Sequence, residues 1–478
     1  MEVSGGSAAM NQQQNGSHVL IVTAGLSGLL YSSIELARRL AAAGHRITYA
    51  GPSSASQLAE HHGLGFFTLE PSRYKQFLEE DVASGRLHRL LHLHRRRVEA
   101  RGSLALGGFV DALASLEPDL ILIDGEMHEH IIAASARSIP MALLNTFSSI
   151  WRQPGLPPPH CLVRPGVGWR GSPVAIRASW LALLWRKKRR AIGQAIRRVG
   201  CDRLSLLRHL ARETGFDFDR ETDDSQWLIP LTYRNLPVLS LHALEFEFPH
   251  RPPERVQYTG PMMLVDRVDH PISRALQIEL EAILQRHQET DRRSRLIYAG
   301  FGSAFTTEVG FLRRLMHVVV ERPGWELLIS LGDQLKPEDL GTLPKGVHAY
   351  SWIPQVRVLQ HADVAVIHGG INTLDECILN EVPMLIYCGK ETDMAGNTAR
   401  AVHHGVAIAG DRDRDSTATI RLHLDSLLDT PGYADNVRQL RAQYVKYADN
   451  LVAERVVDSL LANGLSFGPV SHRGEVRP

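Results

Sequence analysis

A regular alternation of short apolar runs with helical stretches begins at His18 and limits the fold more than any other feature of the chain. Strand candidates are residues 18–23, 46–50, 65–69, 120–124 and 141–145 in the first half, and residues 295–299, 325–331, 347–350, 364–367 and 384–387 in the second half. This rhythm is typical of parallel sheets covered by helices. It predicts an α/β protein whose two doubly wound, Rossmann-like domains face a central cleft, where such sheets bind ligands.

The rhythm loosens after residue 152, and return strands are expected at residues 226–229 and 256–261. A length of 478 residues also favours two domains. The expected division is a disordered leader (1–17), an N-terminal domain (18–255), a C-terminal domain (256–430), closing helices (431–462) and a flexible tail (463–478).

Composition excludes several classes of protein. The formal net charge is +1, which gives no general argument for a nucleic-acid partner. The four cysteines show no close paired spacing, so neither a zinc site nor a disulfide framework is expected. No run approaches the roughly 18 apolar residues of a membrane-spanning helix, and the first residues are not signal-like. These observations favour a cytoplasmic location.

Glycine-rich turns follow two strands of the second half, and glycine lets backbone amides approach an anion. The first turn contains Gly302 and Ser303, whose hydroxyl adds a donor. The second, residues 368–373, opens a helix whose N-terminus offers unpaired amides and a positive dipole end to a pyrophosphate. Glu376 lies one turn into this helix, where it suits ribose hydroxyls. Each turn also fits a purely structural role.

Two further features follow strands of the second half. Trp352 precedes Pro354 and Gln355, and an aromatic face fixed by proline is suited to stacking on a nucleobase, although a core position fits Trp352 as well. Asp393 and Asn397 follow residues 384–387, where a short carboxylate is suited to sugar hydroxyls.

Taken together, these features resemble a known signature. The order Trp, Pro-Gln, His-Gly-Gly, Asn-Thr, Glu, Val-Pro, Asp and Asn within residues 352–397 is similar to the donor-binding motif of the UDP-glycosyltransferase family. Members are inverting enzymes of the two-domain GT-B fold, and the likeness is to the bacterial natural-product or macrolide type. More weakly, the resemblance extends from His18 to about Leu461.

The resemblance implies a role for each matching residue. Trp352 would stack on uracil or thymine beside Gln355, Glu376 would hold the ribose, and Asp393 would bind the sugar. The pyrophosphate would contact Ser303, His368, Gly370, Asn372 and Thr373. The family has no permanently bound cofactor and uses no metal, so the implied ligands are a UDP-sugar or dTDP-sugar and a small hydrophobic acceptor. The N-terminal domain would bind the acceptor, and the closing helices would cross back to it.

Three positions depart from the family pattern. Met394 follows Asp393 where a hexose-binding glutamine is usual, which leaves the identity of the sugar open. Glu381 replaces a glycine and Cys388 a common proline, and both are interpreted as scaffold changes.

The usual catalytic base is also absent. In the family a histidine after the first strand removes the acceptor proton, oriented by an aspartate. Here Leu29 occupies the histidine position, while Asp124 matches the aspartate and also fits a helix N-cap. Three explanations remain open: Asp124, Glu126 or His128 acts as the base; the acceptor is already acidic; or the chain is a catalytically weak nucleotide-sugar-binding auxiliary protein.

A basic segment runs from Trp180 to Arg190, with two tryptophans before the run Arg186-Lys187-Lys188-Arg189-Arg190. Such a helix suits peripheral contact with an anionic membrane. It also fits a solvated helix face whose tryptophans line the acceptor pocket. Nucleic acid is not expected, because no nucleic-acid motif accompanies the charge. The oligomeric state is left open.

Overall fold

The computed structural model describes residues 16–83, 86–268, 272–289, 294–302, 308–332, 335–389 and 392–464. The predicted pyrophosphate ligand Ser303 lies outside these ranges. So do residues 1–15 of the expected leader and residues 465–478 of the expected tail.

The first half forms a seven-stranded, wholly parallel sheet with the order β3-β2-β1-β4-β5-β8-β9. Its strands, together with the small antiparallel pair β6–β7, are β1 (His18–Val22), β2 (Arg46–Gly51), β3 (Gly65–Thr68), β4 (Leu120–Asp124), β5 (Met141–Asn145), β6 (Thr222–Asp223), β7 (Thr232–Tyr233), β8 (Val238–Ser240) and β9 (Val256–Tyr258). All residues of β1, β4 and β5 are buried, as expected for strands that are covered by helices on both faces.

The second half forms a six-stranded parallel sheet with the order β12-β11-β10-β13-β14-β15. Its strands are β10 (Arg295–Gly300), β11 (Trp325–Ser330), β12 (Val347–Tyr350), β13 (Val364–Ile367), β14 (Met384–Ile386) and β15 (Ala407–Ala409). Both halves therefore have the doubly wound architecture that the sequence predicts.

Helices cover both sheets. In chain order they are α1 (Ser27–Ala42), α2 (Ser56–His61), α3 (Tyr74–Ala83), α4 (Arg86–Leu91), α5 (Leu93–Gly102), α6 (Gly107–Leu116), α7 (His128–Ser135), α8 (Pro173–Arg198), α9 (Arg203–Thr214), α10 (Phe218–Glu221), α11 (Arg274–Glu289), α12 (Val309–Val320), α13 (Gln355–Leu359), α14 (Ile371–Leu379), α15 (Met394–His403), α16 (Thr417–Asp429), α17 (Pro431–Asp449) and α18 (Val452–Asn463).

The structure differs from two sequence-based expectations for the region between the two sheets. Residues 226–229 are irregular rather than a strand, because the backbone carbonyls of Gln226 and Leu228 both accept hydrogen bonds from Lys187 Nζ, at 2.6 Å each. Strand β8 occupies the sheet position instead. Strand β9 pairs with β8, so the first sheet extends beyond residue 255, the expected boundary between the domains.

The two halves contact each other through buried polar groups. Arg400 of α15 reaches Glu247 from the first half, with Nε 2.7 Å from Oε2 and both side chains almost fully buried. The amide of Gly396 donates to the Pro159 carbonyl at 2.8 Å.

The closing helices α17 and α18 also touch the first half. Tyr447 of α17 donates a hydrogen bond to Glu245 at 2.9 Å, and Asp458 of α18 lies 3.1 Å from His45 Nε2. Both closing helices therefore contact the first half of the chain.

No helix in the described ranges is both long enough and apolar enough to span a bilayer. The cytoplasmic location stays a prediction.

Candidate active site between the two sheets

When the strands are counted from the start of each half, both sheets contain the strand order 3-2-1-4. This order places a crevice beyond the carboxyl ends of strands 1 and 4 of each sheet. In the first sheet these strands are β1 and β4, followed by residues 23–26 and by Asp124. In the second sheet they are β10 and β13, followed by Gly302 and His368. The candidate catalytic and pyrophosphate residues therefore lie at the two switch points.

Asp124 ends β4 and is buried. Its Oδ1 accepts a hydrogen bond from the Glu126 amide at 2.9 Å, and the Ala24 amide also donates to this carboxylate. Burial raises the pKa of Asp124 above its ordinary value, even though these two hydrogen bonds act in the opposite direction. A carboxylate with a raised pKa is a stronger base than an exposed aspartate.

Glu126 is half-buried and lies in the same loop. Burial, and secondly the charge of Asp124, raise the pKa of Glu126. Asp393 of the second half also contributes to this rise, so the two halves place carboxylates close together across the cleft.

His128 lies at the start of α7 and is enclosed by the first half of the chain. Its ring is fully buried, and Nδ1 lies 3.1 Å from the Tyr233 hydroxyl. Burial lowers the pKa of His128 to about 3, which makes its imidazole a poor base near neutral pH. Burial and the lowered pKa argue against His128 as the base, and they leave Asp124 and Glu126 as the better-placed candidates.

The loop after β1 meets the start of α14. Asn372 Nδ2 donates to the Gly28 carbonyl at 2.6 Å, next to the buried Leu29 that stands where the family has its histidine. The side-chain amide of Asn372 therefore binds a backbone carbonyl of the first half. Asn372 therefore links the two halves at the predicted pyrophosphate position.

The His368 imidazole lies between two glycine backbones. A Cβ atom added to Gly370 would lie 2.7 Å from His368 Nε2, and one added to Gly302 would lie 3.1 Å from Cε1. Gly302 also has φ +68°, which favours glycine. Burial lowers the pKa of His368 to about 4, so the ring is neutral near pH 7 and carries one N–H donor. Gly302, His368 and Gly370 are thus brought together.

Gln355 connects three side chains beneath the predicted nucleotide position. Its Oε1 accepts a hydrogen bond from Tyr298 at 2.7 Å, while Nε2 donates to Glu376 and, at 3.4 Å, to Thr373. Gln355, Thr373 and Glu376 therefore form one cluster. Trp352 lies half-buried in the loop between β12 and α13, directly before this cluster in the chain.

Arg267 was not predicted from the sequence, yet it is central to this cluster. Its guanidinium forms an ion pair with Glu376, lies 4.2 Å from the centroid of the Tyr31 ring, and donates to the Leu264 carbonyl at 3.1 Å. Glu376 is thus held by protein side chains on two sides. Arg267 belongs to an irregular segment without periodic apolar residues, so no sequence signal distinguished it.

Asp393 and Asn397 lie one turn apart at the start of α15. Asn397 Nδ2 donates to Asp393 at 3.0 Å and to the Gly369 carbonyl at 3.2 Å, which holds Asp393 beside the turn that contains His368. Burial raises the pKa of Asp393. No group of three or more His, Cys, Asp or Glu side chains in the described residues is placed to hold a metal ion.

Comparison with known proteins gives consistent results. Residues 313–459 match the family model for the C-terminal domain of erythromycin biosynthesis protein CIII-like proteins. The chain is 25% identical to the oleandomycin glycosyltransferase of Streptomyces antibioticus over 95% of this chain and 93% of that protein.

Solved structures agree at the level of the fold. The glycosyltransferase of kitacinnamycin is 20% identical, with a TM-score of 0.65 over 93% of this chain and 98% of that one. The calicheamicin glycosyltransferase CalG4 is 18% identical, with a TM-score of 0.64 over 94% and 99% of the two chains. The fold is therefore GT-B. Together with the donor motif, these similarities support a glycosyltransferase that resembles the bacterial natural-product type of UDP-glycosyltransferase.

Proposed function

We propose that this enzyme transfers a hexose, with inversion and without a metal ion, from a UDP-sugar or dTDP-sugar to a hydroxyl of a small hydrophobic natural product. The single observation that carries the proposal is the placement of the neutral His368 imidazole between Gly302 and Gly370 at the start of α14. There an N–H donor and the positive end of a helix converge on one point, as a leaving diphosphate requires.

In the proposed mechanism Asp124, assisted by Glu126, removes the proton from the acceptor hydroxyl. The hydroxyl oxygen attacks the anomeric carbon in line as the bond to the diphosphate breaks. Negative charge then develops on the diphosphate, where His368, Thr373 and the amides at the start of α14 stabilise it. Asp393 binds the transferred sugar.

The donor class is supported by two relatives of the same fold. VinC was solved in complex with dTDP, and the spinosyn rhamnosyltransferase SpnG in complexes with thymidine diphosphate and with spinosyn aglycone. A thymidine donor and a polyketide-like acceptor are therefore the first combination to test.

The test is to incubate the purified protein with UDP-glucose or dTDP-glucose and a panel of hydroxylated macrolides and aromatic polyketides. We expect a product heavier by one hexose, of inverted anomeric configuration by NMR, in the presence of EDTA. His368→Ala should lose this product, whereas His317→Ala, which changes an exposed side chain on α12, should retain it.

A second outcome separates the alternatives. Neither transfer nor slow hydrolysis of any donor would contradict the proposal and support the auxiliary role suggested by Leu29. That role is not favoured, because the relative that aligns over 95% of this chain is named as a glycosyltransferase.

We also propose peripheral contact with an anionic membrane through α8. The predicted segment from Trp180 to Arg190 needs correction, because Trp180 is buried and its Nε1 donates to the Leu156 carbonyl at 2.8 Å. The apolar surface is instead a stripe of exposed side chains at alternating intervals of seven and four residues, which share one helix face. They are Val174, Leu181, Trp185, Ile192 and Ile196.

Exposed basic side chains beside the stripe support an anionic membrane as the partner. They are Arg177, Lys188 and Arg189. Flotation with phosphatidylglycerol vesicles should recover the protein, and neutral phosphatidylcholine vesicles should not. Leu181→Asp should abolish flotation, while Leu422→Asp, at an exposed position on α16, should not. Equal recovery with both lipids would remove the membrane proposal.

A further inference from the structure

A second cleft lies beside the loop after β4 and is strongly basic. It has a volume of about 990 Å³ and is formed by α3, α4, α8, α9 and residues 224–230. Clefts of this size accommodate small organic ligands. Seven lysine and arginine side chains line the cleft. The acidic side chains among its lining residues are Asp202 and Asp224.

Arg89 and Arg203 are paired with the carboxylates of Asp81 and Glu129, whereas backbone carbonyls orient other cationic groups of the cleft. Lys187 Nζ donates to the carbonyls of residues 226 and 228, and Arg198 Nη1 donates to the Leu78 carbonyl at 2.8 Å. Within the described ranges, Lys188 and Arg190 have no carboxylate within 4.0 Å. Backbone carbonyls hold a cation in place and leave its charge available to an anion.

The two carboxylates in the cleft do not balance this charge. Asp202 is the N-cap of α9, where its oxygens accept hydrogen bonds from the amide and the hydroxyl of Ser205, at 3.2 and 2.6 Å. Asp224 is exposed. The cleft therefore keeps an excess of positive charge.

The cleft is connected to the candidate base. Arg203 lines it, forms an ion pair with Glu129 at 2.8 Å, and donates to the Glu126 carbonyl at 3.1 Å. A molecule in the cleft thus lies one side chain away from the loop that carries Asp124 and Glu126. Apolar side chains such as Leu78, Leu184 and Leu204 form part of the same wall.

We propose that this cleft binds an anionic oxygen group, a carboxylate or a phosphate, that is carried by an otherwise apolar acceptor. This inference rests on the proposed function, since it defines the acceptor of the same reaction. The acceptor is then an amphiphile with an anionic end among the side chains of α8 and a hydroxyl directed to the loop after β4.

The first experiment is independent of turnover. Calorimetry with the whole protein, without donor, compares ω-hydroxydodecanoate with its methyl ester and with dodecyl phosphate. We expect the carboxylate or the phosphate to bind at least about tenfold more tightly than the ester, the scale of one charge-assisted hydrogen bond. Lys188→Gln combined with Arg190→Gln should remove this preference, while Arg438→Gln, an exposed arginine on α17, should preserve it.

The anion source is distinguished by which of the two anions binds more tightly. Equal affinity for acid and ester, or a preference that survives the double variant, would overturn the proposal. Transfer of hexose is measured in parallel with a neutral macrolide. Transfer to the neutral acceptor without any anion preference contradicts only the cleft proposal, whereas anion binding without transfer to any acceptor contradicts only the proposed function.

Discussion

At the residue scale, the proposed base is Asp124, a buried carboxylate at the switch point of the first sheet. Asp124→Asn keeps the shape and removes the base, so we predict a fall in kcat of roughly 100-fold or more with little change in donor KM. Glu126→Gln should lower kcat by a smaller factor than Asp124→Asn. Steady-state kinetics of the two variants test the assignment, and an Asp124→Asn enzyme with normal kcat would refute it.

The pH dependence follows from the same residue. A base must be unprotonated, so activity is lost as the pH falls through the pKa of Asp124, and burial places that pKa above its ordinary value. We therefore predict that the acid limb of the kcat/KM profile lies at higher pH than that of an exposed aspartate. An acid limb at or below the ordinary aspartate pKa of about 3.9 would contradict this.

Sequence patterns predicted some of these residues and not others. Gly302, His368 and Asp124 follow strands of a repeating α/β pattern, so their convergence at strand ends was predictable. The burial of His128 was not, because its partner Tyr233 lies 105 residues away in the chain. Arg267 was also missed, since only tertiary packing brings it to Glu376.

At the scale of elements, α15 is fitted closely against the first half at Gly396. A Cβ atom there would lie 2.2 Å from the Pro159 carbonyl oxygen, which also accepts the Gly396 amide hydrogen bond. We predict that Gly396→Ala lowers the free energy of unfolding by about 1–3 kcal/mol, as overpacking does. Urea denaturation measures the change.

Gly310 provides the matched control, because it is a helical glycine on α12 with open space around its Cα. Gly310→Ala should raise stability by about 0.4–1 kcal/mol through the lower entropy of the unfolded chain. A Gly396→Ala variant as stable as Gly310→Ala would show that the Pro159 contact is unimportant.

Strands and helices were predictable wherever the pattern of apolar residues extended over several residues. The central strands of both sheets are recovered near their expected bounds, but residues 226–229 are not a strand. Their apolar run resembles one locally, and only the distant Lys187 ammonium shows that their carbonyls are occupied elsewhere. Strands β8 and β15, at three residues each, are too short to give a pattern.

At the scale of the whole molecule, the buried pair of Glu247 and Arg400 fixes one half against the other. Burial favours a neutral carboxyl, yet the charges of Arg400 and His242 hold the pKa of Glu247 below its ordinary value. The pair therefore contributes stability above the pKa of unfolded glutamate, and this stability is lost as the pH falls below it.

We predict that Glu247→Gln costs roughly 3–5 kcal/mol at pH 7, since Arg400 is left buried without a counter-charge. The cost should shrink when unfolding is measured near pH 3. Glu281→Gln breaks a half-exposed pair with Arg357 and should change stability little at either pH. A Glu247→Gln effect that is independent of pH would contradict the assignment.

The ion pair between Arg267 and Glu376 has a kinetic consequence for the molecule as a whole. If Glu376 binds the ribose, an incoming nucleotide exchanges partners with Arg267 rather than filling an empty place. The guanidinium that would lose its partner also lies against Tyr31 of α1, in the half proposed to bind the acceptor. Donor arrival therefore changes the acceptor half before any sugar moves, and an ordered sequence of substrates, donor first, is the expected kinetic scheme.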